Sequence, residues 1–257
     1  MDTFERKETK YLLSPLQYLQ FRALAEGHLV PAEYHESDVS SLYYDTPDDL
    51  LINRSLQGGK YKEKLRVRSY GAATQSSPVF IEIKKKFKGI TYKRRVNCTL
   101  AAASAFLAGM DYLEAIERWP LKDTAAQEYA HGTMSRQIAG ELAWMRDHYE
   151  GIAPKMLVTT HRLSFVDVDD PDLRITFDSN VRWDNMSTTL EKAAGRHELF
   201  DNGERILEIK CGSAYPMWLV AALNECGIRP QSVSKYGRAY QAAAMRERRI
   251  HTARHAA

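Results

Sequence analysis

The sequence lacks the features of several large classes of protein. No apolar run approaches the ~20 residues that a membrane-spanning helix needs, and the N-terminal segment MDTFERKETK is too charged for a signal peptide. The three cysteines show no metal-ligand spacing, and their odd number argues against a disulfide framework. Internal repeats and low-complexity segments are also absent. These absences predict a soluble protein of the cytoplasm, which is a reducing compartment, with no membrane span.

The net charge of the 257-residue chain is only +3, but its positive residues are concentrated between positions 60 and 95. Charged and apolar residues alternate in the stretches 62–68 (KEKLRVR), 80–86 (FIEIKKK) and 206–210 (ILEIK). Alternate side chains of a β-strand share one face, so all four cations of the first stretch would point the same way. Such a face cannot lie in an apolar core, because each unpaired buried charge costs several kcal/mol. It must face water or a highly charged ligand.

The hydrophobic patterns along the chain predict a mixture of strands and helices. Strands are expected at about 4–13, 40–44, 61–70, 78–86, 90–98, 155–166, 173–178 and 203–210. Helices are expected at about 15–26, 49–53, 216–225 and 236–248, with two or three more in the Ala- and Leu-rich region 99–150. The polar segment 185–202 is interpreted as a loop.

About eight antiparallel strands, several with charged faces, predict an α+β fold built on an antiparallel β-barrel that is closed or nearly closed. Peripheral helices and a helical insertion at about 99–150 would surround it. Closure would remove exposed strand edges and leave a lumen that an anion could occupy. We interpret residues 1–248 as a single tunnel domain and residues 249–257 as a basic, frayed C-terminal tail.

The side chains that strand parity places on the charged face are mostly cations, which predicts a polyanionic ligand. Arginine offers planar forks for phosphate oxygens, and lysine supplies point charges. The acids of the same face could hold a divalent metal ion that bridges phosphates. The cations are Lys10, Lys62, Lys64, Arg66, Arg68, Lys84, Lys93, Arg95, Arg174 and Lys210, with Arg162 as a further candidate, and the acids are Glu8, Glu82, Asp178 and Glu208.

A series of short motifs, spread in order over nearly the whole chain, resembles a known family. The motifs are 4–11 (FERKETKY), 41–45 (SLYYD), 65–71 (LRVRSYG), 80–84 (FIEIK), 92–95 (YKRR), Arg162, 173–178 (LRITFD), 207–210 (LEIK) and 234–236 (SKY). Together they resemble the catalytic domain of the vacuolar transporter chaperone (VTC) polyphosphate polymerases. That family is part of the triphosphate tunnel metalloenzyme, or CYTH-like, superfamily.

This resemblance implies a basic tunnel that binds ATP or another triphosphate together with a growing polyphosphate chain, with Mn²⁺ or Mg²⁺ as the cofactor. Carried over by position, it assigns catalytic phosphate contacts to Lys10, Arg66, Arg68, Lys84, Lys93, Arg162 and Arg174. It assigns substrate binding to Lys64, Arg95, Lys210, Ser234 and Lys235. It makes Glu208 a catalytic residue and the metal ligand, with Glu8 and Asp178 as further candidate ligands.

Three positions depart from the family pattern. Arg6 stands where the hydrolytic relatives carry the first glutamate of a Glu-x-Glu-x-Lys motif, which favours the polymerase branch. Thr160 stands where a tyrosine is expected, two positions before the phosphate-binding arginine. Ser232 stands where a further tunnel lysine often lies.

The expected reaction transfers the γ-phosphoryl group of ATP to polyphosphate, with a terminal phosphate oxygen as the nucleophile. The sequence shows no activated serine or cysteine arrangement. Two alternatives stay open: a metal-dependent hydrolase of inorganic or nucleoside triphosphates with the same fold, and a non-catalytic binder of polyphosphate or another polyanion. Nucleic acid is a poorer candidate ligand, because the cations lack interleaved exposed aromatics for base stacking. A membrane-protein partner is left open.

Overall fold

The computed structural model describes residues 7–88, 90–192, 194–200, 202–212 and 214–255. Within them the chain adopts an α+β fold with one antiparallel sheet. The strands are β1 (Lys7–Leu13), β2 (Leu29–Asp45), β3 (Tyr61–Tyr70), β4 (Pro78–Phe87), β5 (Ile90–Thr99), β6 (Ala153–Asp167), β7 (Arg174–Asp184), β8 (His197–Glu198) and β9 (Arg205–Cys211). The helices are α1 (Pro15–Leu24), α2 (Leu50–Leu56), α3 (Leu100–Leu107), α4 (Tyr112–Arg118), α5 (Thr124–His131), α6 (Thr133–His148), α7 (Met217–Glu225) and α8 (Lys235–His255).

The strands follow one another in the order β1-β9-β7-β6-β2-β3-β4-β5, with the short β8 paired to β7. In the described part of the chain no backbone ladder joins the edge strands β1 and β5, so the predicted barrel is not closed by hydrogen bonds. The sheet is nevertheless curled, as shown by the distance of 3.4 Å between Lys84 Nζ of β4 and Glu8 Oε1 of β1. The antiparallel, tunnel-forming fold is therefore as expected, and side chains of β1 and β4 meet across its interior.

The alternating pattern of β3 sets the two faces of the sheet. Leu65 and Val67 are buried on the outer face, in a core that also contains residues of the helices α3 to α6. Arg66 and Arg68 lie on the inner face and are only partly exposed. The same division holds on β4, where Ile81 faces the helices. The apolar half of each strand thus packs outward and leaves the charged half to line the interior.

Several elements differ in extent from the sequence prediction. β2 begins at Leu29, well before the predicted start, because its N-terminal half pairs with β6. Four helices, rather than two or three, lie between β5 and β6. A two-residue strand, β8, interrupts the segment interpreted as a loop. The last helix continues to His255, past its predicted end at about residue 248, so residues 249–255 of the expected C-terminal tail are helical. Residues 4–6 of the first predicted strand, and residues 256–257, lie outside the described residues.

A buried carboxylate at the end of β2 fixes two helices against the sheet. Asp45 accepts hydrogen bonds from the backbone amides of Leu51 (2.8 Å) and Ile52 (2.9 Å) at the start of α2. It also accepts one from the Tyr236 hydroxyl of α8 at 2.9 Å. These bonds satisfy amides that would otherwise lack partners in the first turn of a helix. They also hold the N-terminus of α8, with Lys235, at the interior of the sheet.

No helix in the described residues is long and apolar enough to span a membrane.

Candidate functional site

The interior of the curled sheet contains a cavity of about 480 Å³. Among the described residues, eleven lysine and arginine side chains line it, against the two carboxylates Glu8 and Glu208. So large an excess of one sign in a confined space concentrates anions. The lining cations are Lys10, Lys62, Lys64, Arg66, Arg68, Lys84, Lys86, Lys93, Arg162, Lys210 and Lys235.

One group of these cations is held by the buried carboxylate Glu82 of β4. Glu82 Oε2 lies 2.6 Å from the Nη2 atom of Arg66, and Glu82 Oε1 lies 2.7 Å from Lys93 Nζ. Arg68 Nε is more distant, at 3.8 Å. Burial would raise the pKa of Glu82, but the charges of these three cations outweigh it and lower the pKa to about 2. Glu82 therefore remains ionised and orders the cations above it.

A second buried carboxylate, Asp178 of β7, orders the cations on the other wall. Its two oxygens accept hydrogen bonds from Arg162 Nε (2.7 Å) and Arg162 Nη2 (2.8 Å). Lys235 Nζ also donates to Asp178. Burial would raise the pKa of Asp178, but Lys235 and Arg162 hold it well below its usual range. The bidentate geometry fixes the Arg162 guanidinium beside the cavity.

The carboxylates Glu8 and Glu208 meet at one side of the cavity, where both contact Lys10 Nζ, at 3.2 and 3.3 Å. Glu208 Oε1 also lies 2.7 Å from Lys210 Nζ. Burial would raise the pKa of Glu208, but Lys10 and Lys210 hold it well below its usual value. Glu208 is therefore an anion at neutral pH.

The donor set allows a test for a divalent metal ion. Within the described residues no group of three or more His, Cys, Asp or Glu side chains is placed to hold a metal ion. Mg²⁺, however, is usually held by one or two carboxylates plus substrate phosphates. Glu8 and Glu208 fit such an ion, with phosphate oxygens completing its coordination. Asp178 fits poorly, because it is fully buried and does not line the cavity, and both of its oxygens accept hydrogen bonds from Arg162 and Lys235.

Tyr43 of β2 lies on the cavity wall among cations of β3. Arg66 Nη1 donates a hydrogen bond to its hydroxyl oxygen at 3.1 Å, and its ring stacks on Tyr236. Burial would raise the pKa of Tyr43, but Arg66, Lys64 and Arg68 lower it to about 7. Burial lowers the pKa of Lys64 to about 8, and its Nζ donates to Ser234 Oγ at 2.9 Å.

The structure brings most of the sequence-predicted site residues together. Arg95 and Arg174 are the exceptions among the predicted cations, because neither lines the cavity. Arg95 is exposed, and its guanidinium lies over the Phe80 ring at 4.4 Å. Arg174 is exposed and pairs in register with Lys210. The predicted residues that do line the cavity are Glu8, Lys10, Lys62, Lys64, Arg66, Arg68, Lys84, Lys93, Arg162, Glu208, Lys210, Ser234 and Lys235.

We expect binding of tripolyphosphate to weaken as the pH rises from about 6 to 8. Tyr43, with its pKa of about 7, then gains a negative charge, and Lys64, with its pKa of about 8, starts to lose a positive one. If the anion binds only when the phenol is neutral, Tyr43 alone lowers the affinity about tenfold one pH unit above its pKa. Calorimetric titration of Tyr43→Phe should show a flatter pH profile.

Tyr44→Phe is the matched control for this experiment. Tyr44 points to the opposite face of β2, and burial raises its pKa to about 12, so its removal should leave the pH profile unchanged. Comparing variants at the same pH cancels the ionisation of the ligand itself. A Tyr43→Phe profile as steep as that of the unmodified protein would contradict the expectation.

Taken together, the strands and the cavity define an antiparallel tunnel fold with a strongly cationic interior. The particular family follows from a family model described as the VTC domain, which matches residues 5–244. The chain belongs to the VTC domain family.

Solved structures with a similar chain path come from several organisms. A candidate adenylyl cyclase from Hippeastrum, described as having a dominant triphosphatase activity, is 14% identical with a TM-score of 0.48, covering 91% of this chain and 95% of its own. A candidate adenylate cyclase from Bacillus halodurans is 10% identical, with a TM-score of 0.46 and coverages of 90% and 95%. One from Vibrio parahaemolyticus is 12% identical, with a TM-score of 0.41 and coverages of 89% and 94%. No curated protein matches the chain.

Proposed function

We propose that this protein is a polyphosphate polymerase that transfers the γ-phosphoryl group of ATP to a growing polyphosphate chain inside the tunnel. The observation that carries the proposal is the 480 Å³ cavity whose eleven cations face only two carboxylates among the described lining residues. A donor triphosphate and an acceptor polyphosphate repel one another strongly, and this excess of positive charge would offset that repulsion. The use of ATP as the donor is the reason to propose the cytoplasm as the site of the reaction.

Phosphoryl transfer requires mainly that the reacting phosphates be positioned and that their negative charge be neutralised. A terminal oxygen of the polyphosphate would attack the γ-phosphorus, and the bond between that phosphorus and the β–γ bridging oxygen would break. ADP would leave with the bridging oxygen, so no protein nucleophile is needed. The fork of Arg68 would bind phosphate oxygens in a two-point contact. Arg66 and Arg162 already contact Glu82 and Asp178 through Nε and Nη2 and would donate to phosphate from their remaining N–H groups. The flexible lysines, such as Lys84 and Lys93, would supply charges along the path of the chain.

Glu208, with Glu8 beside it, would hold Mg²⁺ or Mn²⁺. When bound, the ion would supply further neutralisation of charge on the phosphate oxygens. Lys10 contacts both carboxylates and would keep them from repelling each other while the metal ion is absent. Asp178 is left out of this ligand set, and Arg95 and Arg174 are left out of the catalytic set.

The same two carboxylates support one alternative. Glu8 and Glu208 would hold the metal ion equally well if water replaced the polyphosphate acceptor, and the protein would then be a triphosphatase. Purified protein incubated with ATP, Mn²⁺ and a polyphosphate primer separates the two functions on a denaturing gel. Lengthening of the primer supports the polymerase. Release of orthophosphate without lengthening of the primer supports the triphosphatase. Tight, salt-sensitive binding of polyphosphate without turnover would reject both in favour of a binder.

Glu208→Gln is expected to remove metal dependence and turnover together, because the amide keeps the shape of the side chain but loses its charge. Binding of Mn²⁺, followed by electron paramagnetic resonance in the presence of tripolyphosphate, should weaken at least about tenfold. Glu141→Gln is the control, since Glu141 pairs with Arg94 outside the cavity at 2.8 Å. Unchanged Mn²⁺ binding in Glu208→Gln would exclude the assigned role.

A further inference from the structure

Five large apolar side chains are exposed around the end of the β4–β5 hairpin. Tyr61, Phe87, Ile90, Tyr92 and Trp144 are each between 43% and 54% exposed. A single exposed apolar residue is ordinary, but a contiguous group on a monomer marks an interaction surface. We call these five residues the hairpin patch.

The hairpin patch is contiguous because of the strand register. Phe87 pairs with Tyr61 on one side and with Ile90 on the other. Tyr92 pairs with Lys85, whose Nζ lies 5.9 Å from the centre of the Trp144 ring. Strand parity places these residues on the outer face of the sheet. Further along the same strands this face is buried with the helices, so the patch lies where that cover ends.

Lysines surround the hairpin patch, and exposed acids are missing from its strands. Lys60 and Lys88 are exposed, and Lys85 is half-buried beside Trp144. The acids within β3, β4 and β5 are Glu63 and Glu82, and both are buried. The surface thus combines aromatic and aliphatic side chains with positive charge that no neighbouring carboxylate on those strands neutralises.

We propose that the hairpin patch and its lysines dock this protein on the surface of a membrane that contains anionic lipids. Aromatic side chains are favoured at the headgroup level of a bilayer, and lysines extend their charged ends toward lipid phosphates while their stems cover apolar surface. Each cation near an anionic membrane strengthens the binding of a polybasic segment. A protein partner fits less well, because lysine is depleted in protein–protein interfaces.

The docked orientation would place the tunnel beside the lipid headgroups. Lys62, Lys86 and Thr91 lie on the inner face of the same three strand ends and line the cavity. The outer face of the hairpin would contact the membrane while the inner face stays open to the tunnel. The proposal does not depend on whether the protein is a polymerase, a triphosphatase or a binder.

Flotation of the full chain with vesicles tests the proposal. We expect binding to vesicles that contain phosphatidylglycerol, weaker binding to phosphatidylcholine alone, and a decrease with added salt. The double variant Phe87→Ser, Ile90→Ser should bind the anionic vesicles at least about tenfold less tightly. Neither residue lines the cavity, so the affinity of this variant for tripolyphosphate should stay unchanged and would show that it is folded.

The matched control removes exposed apolar residues from another surface. Leu16 and Leu19 of α1 are each 63% exposed, and Leu16→Ser with Leu19→Ser should float like the unmodified protein. Equal losses in both double variants, or no binding to anionic vesicles, would overturn the proposal. So would complete release of the protein by tripolyphosphate, because the lipid headgroups would then be binding in the tunnel rather than at the hairpin patch.

Discussion

Replacing Arg68 by alanine should lower kcat at least about 100-fold. This is the size of effect seen when one preorganised hydrogen-bond donor is removed from an active site. The thermal stability should stay the same or rise. Arg68 Nε lacks a hydrogen-bond partner within the described residues. Burial and the charge of Arg66 lower the pKa of Arg68, which shows that its positive charge is poorly compensated in the folded protein. A phosphate group would supply the missing partner.

Steady-state kinetics and thermal unfolding with and without tripolyphosphate check this prediction. Tripolyphosphate should raise the melting temperature of the unmodified protein more than that of Arg68→Ala, because only the former has the full set of phosphate contacts. A large loss of stability in the ligand-free variant would show that Arg68 is a structural ion-pair member instead.

Two other arginines serve as controls for Arg68. Arg174 is exposed and outside the cavity lining, so Arg174→Ala should keep turnover close to that of the unmodified protein. Arg66 differs because its Nη2 lies 2.6 Å from the buried Glu82. Arg66→Ala should therefore lower both turnover and stability, since it removes one of the partners of a buried carboxylate. Turnover lost in Arg174→Ala and kept in Arg68→Ala would contradict the assignment of the site.

Replacing Asp178 by asparagine should lower the free energy of unfolding by about 3–5 kcal/mol, the usual cost of breaking a buried ion pair. Asp178 is fully buried and holds both Arg162 and Lys235. Asparagine preserves the shape but leaves those two cations without a counter-charge. Urea unfolding measures the change. Glu8→Gln is the comparison, because Glu8 is partly exposed and its ion pairs should contribute less than about 1 kcal/mol.

The pH dependence of stability gives a second measurement on the same residue. The lowered pKa of Asp178 means that its stabilisation is fully present above the ordinary aspartate pKa of about 4. It is lost as the pH falls through the pKa of the folded state, and Glu82, with a pKa of about 2, behaves in the same way. Asp178→Asn should therefore unfold with less dependence on pH in the acid range. An unfolding free energy within about 1 kcal/mol of the original would contradict the structural role of Asp178.

The faces of the strands could be predicted from the sequence because the side-chain period of a strand is fixed by backbone geometry. The alternation in β3 correctly placed Arg66 and Arg68 inside the sheet and Leu65 outside it. Arg162 could be named only as a further candidate by the same reasoning, because the pairing of β6 with β7 shifts register between Thr159 and His161. Such an irregularity breaks the alternation and leaves no clear signal in the sequence.

The sequence predicted which face of a strand a side chain lies on better than it predicted whether that side chain lines the cavity. Arg95 and Arg174 have the expected parity, yet neither lines the cavity, since the extent of a lumen depends on how the strands stagger around the sheet. A tyrosine with its usual pKa is uncharged at neutral pH, so the charge pattern of the sequence did not mark Tyr43 as a site residue. Its placement beside Arg66 depends on the pairing of β2 with β3.

By itself, the sequence determined that many cations share one face of an antiparallel sheet, because alternation along a strand is a local property. Only the tertiary structure decided which of those cations converge and which carboxylates hold them. It also decided that β1 meets β4 through side chains, with no backbone ladder between the edge strands β1 and β5 in the described residues. Those features depend on contacts between residues far apart in the chain, such as Asp178 with Lys235 and Glu8 with Lys84. Such contacts form, and stabilise the fold, only when the sheet curls.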